Sequence, residues 1–267
     1  MGKRRSACPV KVMKVRLDKL ILQRGLASSR ERAQALVLAG RVLVNEQKLD
    51  KSGASVDEDA ALRILGVDMP FVSRGGLKLT RAIEQWRIDV RGKVCLDIGA
   101  STGGFTDCLL RNGAAQVIAV DTGYGQIDAR LRGDSRVRLL ERTNARYLTA
   151  EQAWADPTTG RVPISLVVMD VSFISATLVL PAVISTVSES APSDGFEVVV
   201  LVKPQFEVGR EQVGKGGVVR DAIAHQRAVQ RVSEAITQLG GKAVEVIESP
   251  ILGMQGNREF LLHARFE

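Results

Sequence analysis

The sequence predicts an α/β protein: a mostly parallel sheet covered by helices on both faces, with a small α+β module in front of it. Three observations carry this expectation. From residue 93 onward, uninterrupted apolar runs such as "QVIAV", "LVVM" and "VVVLV" alternate with helical segments, the pattern of strands buried on both faces. The first strand of that series stops in a glycine loop, "DIGASTGGF" (97–105), the place where open α/β sheets bind ligands. The charge is also divided. Residues 1–92 hold 19 Lys and Arg against 10 Asp and Glu, whereas residues 93–267 hold 18 against 20.

Composition narrows the class. The 267 residues are 45% apolar but only 4% aromatic, so the core should be Val, Leu, Ile and Ala. The most apolar stretch, "ISLVVMDVSFISATLVLPAVI", is broken by Asp170 and Pro181, which argues against a membrane-spanning helix. The basic start is not followed by the apolar segment of a secretory signal. Of the three cysteines, Cys95 falls in an apolar strand and Cys108 in an apolar helix, as reduced core thiols do. The two histidines, His225 and His263, lie far from any cysteine pair, so no metal site is expected. A cytoplasmic protein without stable membrane association is the expectation.

Taken in order, residues 1–14 read as a basic tail. "VRLDKLILQRG" places Leu17, Leu20 and Ile21 on one helical face and ends at Gly25. Ser28 with Glu31 fits a capping box for a second helix that ends at Gly40. "RVLVNEQKL" alternates around a polar Asn45-Glu46-Gln47 turn, and "ASVDEDAALRIL" offers one more strand. These segments form a module over residues 15–64. Residues 65–73, punctuated by Gly66 and Pro70, read as a linker. The helical "LKLTRAIEQWRID" then opens the sheet domain, 74–267. Five strands alternate there with helices, and "KAVEVIESP" and "REFLLHARFE" follow as two last strands without a helix between them. That pair suggests an antiparallel edge.

The glycine loop does not match a dinucleotide fingerprint, because its spacing is Gly99-x-x-x-Gly103-Gly104, and the Lys of a phosphate-cradling Walker loop is absent. Asp121 ends the second strand, where it can accept from both hydroxyls of a ribose. An adenosine-containing ligand without a pyrophosphate is left, and S-adenosylmethionine fits. Asp97 suits its ammonium group. The residues expected to lie against it are Gly99, Ala100, Ser101, Thr102, Gly103, Gly104, Phe105 and Asp170.

Four ionisable residues gather at the rim of the sheet: Asp170 and Lys203 close strands, Glu259 opens the last one, and Lys78 stands just before the helix that leads into the sheet. Such charges are costly to bury unless paired. Two amines and two carboxylates suit methylation of a weakly acidic hydroxyl, which must lose its proton as it attacks. An amine with a reference pKa of about 10.4 is protonated at neutrality, a second lysine lowers that value by repulsion, and the carboxylates hold both ammoniums in place.

With these residues assembled, the chain is identified as a member of a known family. "RLDKLILQRGLASSRERAQALVLAGRVLVN" resembles the S-four-type RNA-binding domain. "SRGGLK", "DIGASTGGFTDCLL", "VDTGYGQ", "MDVSFIS", "VKPQFE" and "GNREF" together resemble the TlyA family, which joins such a domain to an FtsJ-like methyltransferase. The likeness covers about residues 14–266. It implies a Rossmann-like, class I S-adenosylmethionine-dependent sheet with an antiparallel last strand, and 2'-O-methylation of cytidine in ribosomal RNA or ribosomal subunits. It also implies Lys78, Asp170, Lys203 and Glu259 as the catalytic set, with Lys203 the central base. Thr102 stands where FtsJ relatives usually have proline. Arg16, Lys19, Ser29, Arg30, Arg32 and Arg41, with Arg24 beside them, would grip folded RNA by shape and phosphate. Two other readings follow from the same residues: a ribosome assembly factor with little or no methylation, and a membrane-active haemolysin, the name some relatives bear.

Overall fold

The computed structural model describes residues 13–27, 29–65, 70–154, 162–189 and 191–267, and the chain divides into two units, Met1–Met69 and Pro70–Glu267, each with its own core. The front unit runs β1 (Lys14–Arg16), α1 (Leu17–Gln23), α2 (Arg30–Leu38), β2 (Val42–Val44), β3 (Gln47–Lys48), β4 (Ser55–Asp57) and β5 (Leu62–Ile64). Strand β1 pairs antiparallel with β4, and β2 lies between β3 and β5. Leu17, Leu20, Ile21, Ala33, Leu36 and Val42 fill the space beneath the helices.

Both helices stop as the sequence implies, with Gly25 and Gly40 at φ 66° and 64°. The cap of α2 is Ser29, whose hydroxyl accepts from the Arg32 amide at 3.2 Å; the expected Ser28 lies outside the described residues. Asn45 and Glu46 both take positive φ, which makes a two-residue turn whose twist matches the flanking strands and leaves Gln47 in β3. Two expectations are corrected. Residue 14 belongs to strand β1 rather than to a tail, and the single strand read in "ASVDEDAALRIL" is two strands with different partners. Segments of three residues are too short to show a period. Of the expected linker, residues 66–69 lie outside the described residues, and Pro70 onward belongs to the second unit.

Asp18 organises the front unit. Its buried carboxylate accepts from Arg16 at 2.9 and 3.1 Å, from Arg30 at 3.0 Å, from Gln34 at 2.9 Å and from the Lys19 amide at 2.9 Å. The Arg16 guanidinium, then Gln34 and Arg30, hold its carboxyl well below the usual carboxylate range against the opposing effect of burial. A depressed carboxylate stabilises the fold above its unfolded pKa, about 3.9, and that contribution is lost as pH falls below it. Asp18→Asn is expected to lower the melting point of this unit by roughly 5 °C at neutral pH, a value held down by the half-exposed arginines. It should also flatten the acid limb between about pH 4 and 2. Thermal unfolding of the full chain at neutral pH and urea titration at a series of acid pH values, both followed by amide signals within residues 14–64, check the two.

The second unit opens with α3 (Gly75–Trp86) and continues β6 (Val94–Ile98), α4 (Gly104–Arg111), β7 (Gln116–Val120), α5 (Ala129–Arg132), β8 (Val137–Leu140), α6 (Ala150–Ala153) and β9 (Ile164–Met169). It closes with α7 (Ala176–Ser188), β10 (Phe196–Val202), α8 (Pro204–Glu207), α9 (Ala222–Gln238), β11 (Lys242–Glu248) and β12 (Phe260–Phe266). The seven strands lie in the order β11-β12-β10-β9-β6-β7-β8. Strands β6 to β10 are parallel to one another, and β12 runs antiparallel to both β10 and β11. The last two strands form the expected antiparallel edge: β11 is the outer strand on that side, and β12 lies between it and β10. Successive residues alternate between two cores. Leu96, Ile98, Val198 and Val200 face one with α7 and α9; Cys95, Val199 and Leu201 face the other with α3 and α4. Burial pushes the Cys95 thiol up to about 12 and the Cys108 thiol up to about 11, so both are inert at neutral pH. The four-residue helices α5, α6 and α8 are absent from the sequence reading because one turn carries no periodicity. No helix among the described residues is long and apolar enough to cross a membrane.

Candidate active site

The carboxyl ends of the parallel strands carry the site. Asp170 follows β9 directly, Lys203 follows β10 directly, and Glu259 immediately precedes β12. Lys78 is not ahead of its helix but inside the first turn of α3, because that helix begins at Gly75. The Lys203 ammonium lies 2.7 Å from Asp170 and donates to Ser172 Oγ at 2.6 Å. Lys78 donates to Glu259 at 2.6 Å, and both side chains are at least 90% buried. The four residues thus form two ion pairs, not one lysine pair flanked by acids. Lys78 has its own counter-ion, so its repulsion on Lys203 is largely cancelled, contrary to the sequence expectation.

Two cavities meet at this point. One, of about 450 Å³, is lined by Gly99, Ser101, Asp121, Gly123, Asn144, Asp170, Ser172 and Phe173. The other, of about 330 Å³, is lined by Ser172, Phe173, Lys203, Phe206, Gly217, Gln255 and Glu259. Asp170 opens on the first and Lys203 on the second, and Ser172 and Phe173 wall both. A third cavity of about 480 Å³, between α9 and β11, holds none of the expected site residues.

The first cavity fits the adenosine ligand inferred from sequence. Gly99 turns the chain at φ 84°, and a Cβ there would lie 2.5 Å from the carbonyl oxygen of Asp170, so the loop is shaped by the absence of a side chain. Asp121 accepts from the amides of Ser101 at 2.8 Å and Gly123 at 2.6 Å, which aims its carboxylate into the cavity and leaves acceptor capacity for two hydroxyls. Of the loop residues expected at the ligand, only Gly99 and Ser101 line the cavity. Ala100, Gly103, Gly104 and Phe105 are buried behind it, and Thr102 is exposed. Asp97 is also behind the wall. It is fully buried, accepts from Thr106 Oγ1 at 2.6 Å, and burial pushes its carboxyl up to about 7. Through Oδ2 it braces β6 against α4, and its buried Oδ1 has no hydrogen-bond partner.

The expected RNA contacts of the front unit divide similarly. Arg16 and Arg30 are oriented by Asp18, each keeping close to half of its side chain exposed. Ser29 is engaged as a cap, and Arg41 donates to the Leu65 carbonyl at 2.8 Å. Arg24 donates to the carbonyls of Glu58 and Ala60 and is structural. Lys19 is exposed on α1.

Two residues of the site are not legible in the sequence. Phe173 is 91% exposed, holds a positive φ of 65° and tilts against Phe206 at 5.4 Å between the two cavities. An apolar ring in a polar strand-end loop, in a chain with few aromatics, was the available signal. Asn257 is buried, accepts from the Val219 amide at 3.0 Å and donates to the Gly217 carbonyl at 2.9 Å, which anchors the loop lining the second cavity.

Comparison with known proteins agrees with this geometry. Residues 71–266 match the FtsJ-like methyltransferase model, and residues 15–62 match the S4 domain model. The chain belongs to the TlyA family of FtsJ-like methyltransferases. It is 46% identical over 253 residues to the 16S/23S rRNA (cytidine-2'-O)-methyltransferase TlyA of Mycobacterium tuberculosis, covering 94% of this chain and 90% of that one. It is 39% identical over 250 residues to Hemolysin A of Brachyspira hyodysenteriae, covering 93% and 99%. A solved structure from Streptococcus thermophilus, described as a candidate hemolysin, superposes with a TM-score of 0.69 at 42% identity, covering 95% of this chain and 88% of that one. Four of the segments quoted above, "SRGGLK", "MDVSFIS", "VKPQFE" and "GNREF", carry the two ion pairs.

Proposed function

We propose that this chain methylates the ribose 2'-hydroxyl of cytidine in ribosomal RNA, with S-adenosylmethionine as donor and ribosomal subunits in the cytoplasm as partners. The observation that carries this reading is the Lys203–Asp170 pair on the wall shared by the two cavities. The larger cavity would hold the donor, with Asp121 accepting from its ribose hydroxyls and the backbone around Gly99 against its amino-acid part. When bound, the donor supplies an electrophilic methyl group on a sulfonium. The smaller cavity would hold the target nucleoside. Lys203 and Ser172 offer hydrogen-bond partners for the 2'-hydroxyl, and Lys203, once neutral, accepts its proton. Asp170 orients that amine and stabilises the ammonium formed. Lys78 and Glu259 close the cavity floor as a neutral pair. Phe173 presents a ring face on which an unstacked base can lie. In the front unit, Lys19 and the outward faces of Arg16 and Arg30 supply phosphate contacts.

Asp121→Ala should weaken S-adenosylmethionine binding by about 100-fold or more, the value of two hydrogen bonds to a charged acceptor. Calorimetry with the folded variant checks this, and unchanged affinity removes Asp121 from the site. The activity itself is tested by incubating purified subunits with methyl-labelled donor and the full chain. Incorporation into RNA supports the enzyme. Tight RNA binding with no incorporation supports the assembly-factor reading instead. The hemolysin name of some relatives is not carried over to this chain.

A further inference from the structure

Glu207 is a buried carboxylate that the proposed chemistry does not use. It ends α8, the single turn that starts at Lys203, and only 3% of it is exposed. Its Oε2 accepts from Ser175 Oγ at 2.5 Å, and its Oε1 accepts from the Ala176 amide at 2.7 Å. Ser175 is the N-cap of α7, whose first turn follows the loop that carries Asp170, Ser172 and Phe173. From the other side, Arg231 of α9 donates to the Glu207 carbonyl oxygen at 2.8 Å.

Two segments are therefore fastened to each other at both ends. At the reactive end, Lys203 meets Asp170 and Ser172. One turn later, Glu207 grips Ser175 and Ala176. Phe206 and Phe173 touch between the two fastenings. The strained φ of Phe173 requires that its loop be held at both ends, because an unconstrained loop would relax it.

A stability argument alone does not account for an anion here. Burial pushes the Glu207 carboxyl up; the Ser175 hydroxyl, the Ala176 amide and the more distant Arg231 oppose that shift, and none of its direct partners is a cation. A buried carboxylate with no cation in direct contact is costly to hold charged. What the carboxylate adds is geometry: two acceptors at fixed separation that take a hydroxyl and an amide together.

We infer that Glu207 is a positioning residue for the methyl transfer, setting the Lys203 amine against Asp170 and Ser172 by clamping the start of α7. The inference rests on the function proposed above. It concerns how the base is held, not which ligand occupies the cavities.

The test uses the full chain with Glu207→Gln, Glu207→Asp and Ser175→Ala. The expected result for Glu207→Gln is a fall in kcat of about 10- to 100-fold, since misplacement by a fraction of an ångström is enough. KM for both substrates and the melting point should change little. Glu207→Asp, too short to reach both donors, should not restore turnover. Ser175→Ala should cost several-fold, and its effect should not add to that of Glu207→Gln. Independently of turnover, the side-chain ¹⁵N resonance of Lys203, assigned by its loss in Lys203→Arg, should shift and broaden in Glu207→Gln. If that resonance is unmoved, or if both Glu207→Gln and Ser175→Ala turn over at the wild-type kcat, the clamp is overturned. A wild-type chain that transfers no methyl group defeats the proposed function instead, and the resonance still decides the clamp.

Discussion

Lys203→Ala is expected to lower kcat by about 10²–10⁴, the usual contribution of a positioned base, while both substrates still bind. The amine stands on the wall between the two cavities, 2.7 Å from Asp170 and 2.6 Å from Ser172 Oγ. Removing it takes away the only lysine amine lining the second cavity among the described residues. Lys203→Arg is expected to fail almost as badly, because a guanidinium keeps its proton at any working pH and its planar fork needs more room. Retained activity in the arginine variant would make Lys203 an orienting charge and would leave proton removal to solvent. Lys78→Ala carries a different expectation from the one sequence suggested. Its charge is already matched by Glu259, so its loss strands a buried carboxylate beside the nucleoside cavity and acts through structure more than through repulsion on Lys203. Single-turnover rates with saturating RNA and donor separate these outcomes.

Gly99→Ala is the second large effect. The new Cβ would approach the Asp170 carbonyl oxygen to 2.5 Å and the Asp170 carbonyl carbon to 2.9 Å, both backbone atoms that no rotamer change can clear. An alanine also pays about 1–2 kcal/mol for a positive φ of this kind. Restoring an ordinary contact needs a shift of about 0.9 Å between the glycine loop and the strand end that carries Asp170, and a displacement of that size can cost about 10²-fold in rate. The variant should lose donor affinity and kcat together, because the moved segment belongs to the donor cavity and to the Lys203 pair at once. Donor binding by calorimetry and kcat on the same preparation check this. A variant that keeps both would mean the loop is pliable and that Gly99 is a turn residue only.

These expectations show how far the sequence could be read. The two-faced burial of β6, β7, β9 and β10 is written in their runs of Val, Ile and Leu, and each strand end was placed to within a residue or two. Hence Asp170, Lys203 and Glu259 were found at one rim from their positions alone. Their pairing was not legible. Lys78 and Glu259 lie 181 residues apart, and only the packing of α3 against β12 decides that they meet. The same limit explains the front unit, where Arg16 and Arg30 read as free cations although both are tied to the buried Asp18. The insertion of β12 between β10 and β11 is a property of the crossover through α9, which no local pattern records. Glu207 is not legible in the sequence, because a glutamate one turn after a strand end reads as a solvated helix residue until its burial is known.

The most direct test of the account is the position of the methyl group. RNA from subunits treated with labelled donor and the full chain is digested to nucleosides, and the labelled product is identified by mass spectrometry. The account predicts 2'-O-methylcytidine, absent when Lys203→Ala replaces the wild-type chain. A label carried on a base, or the same 2'-O-methylcytidine yield from Lys203→Ala, would contradict it.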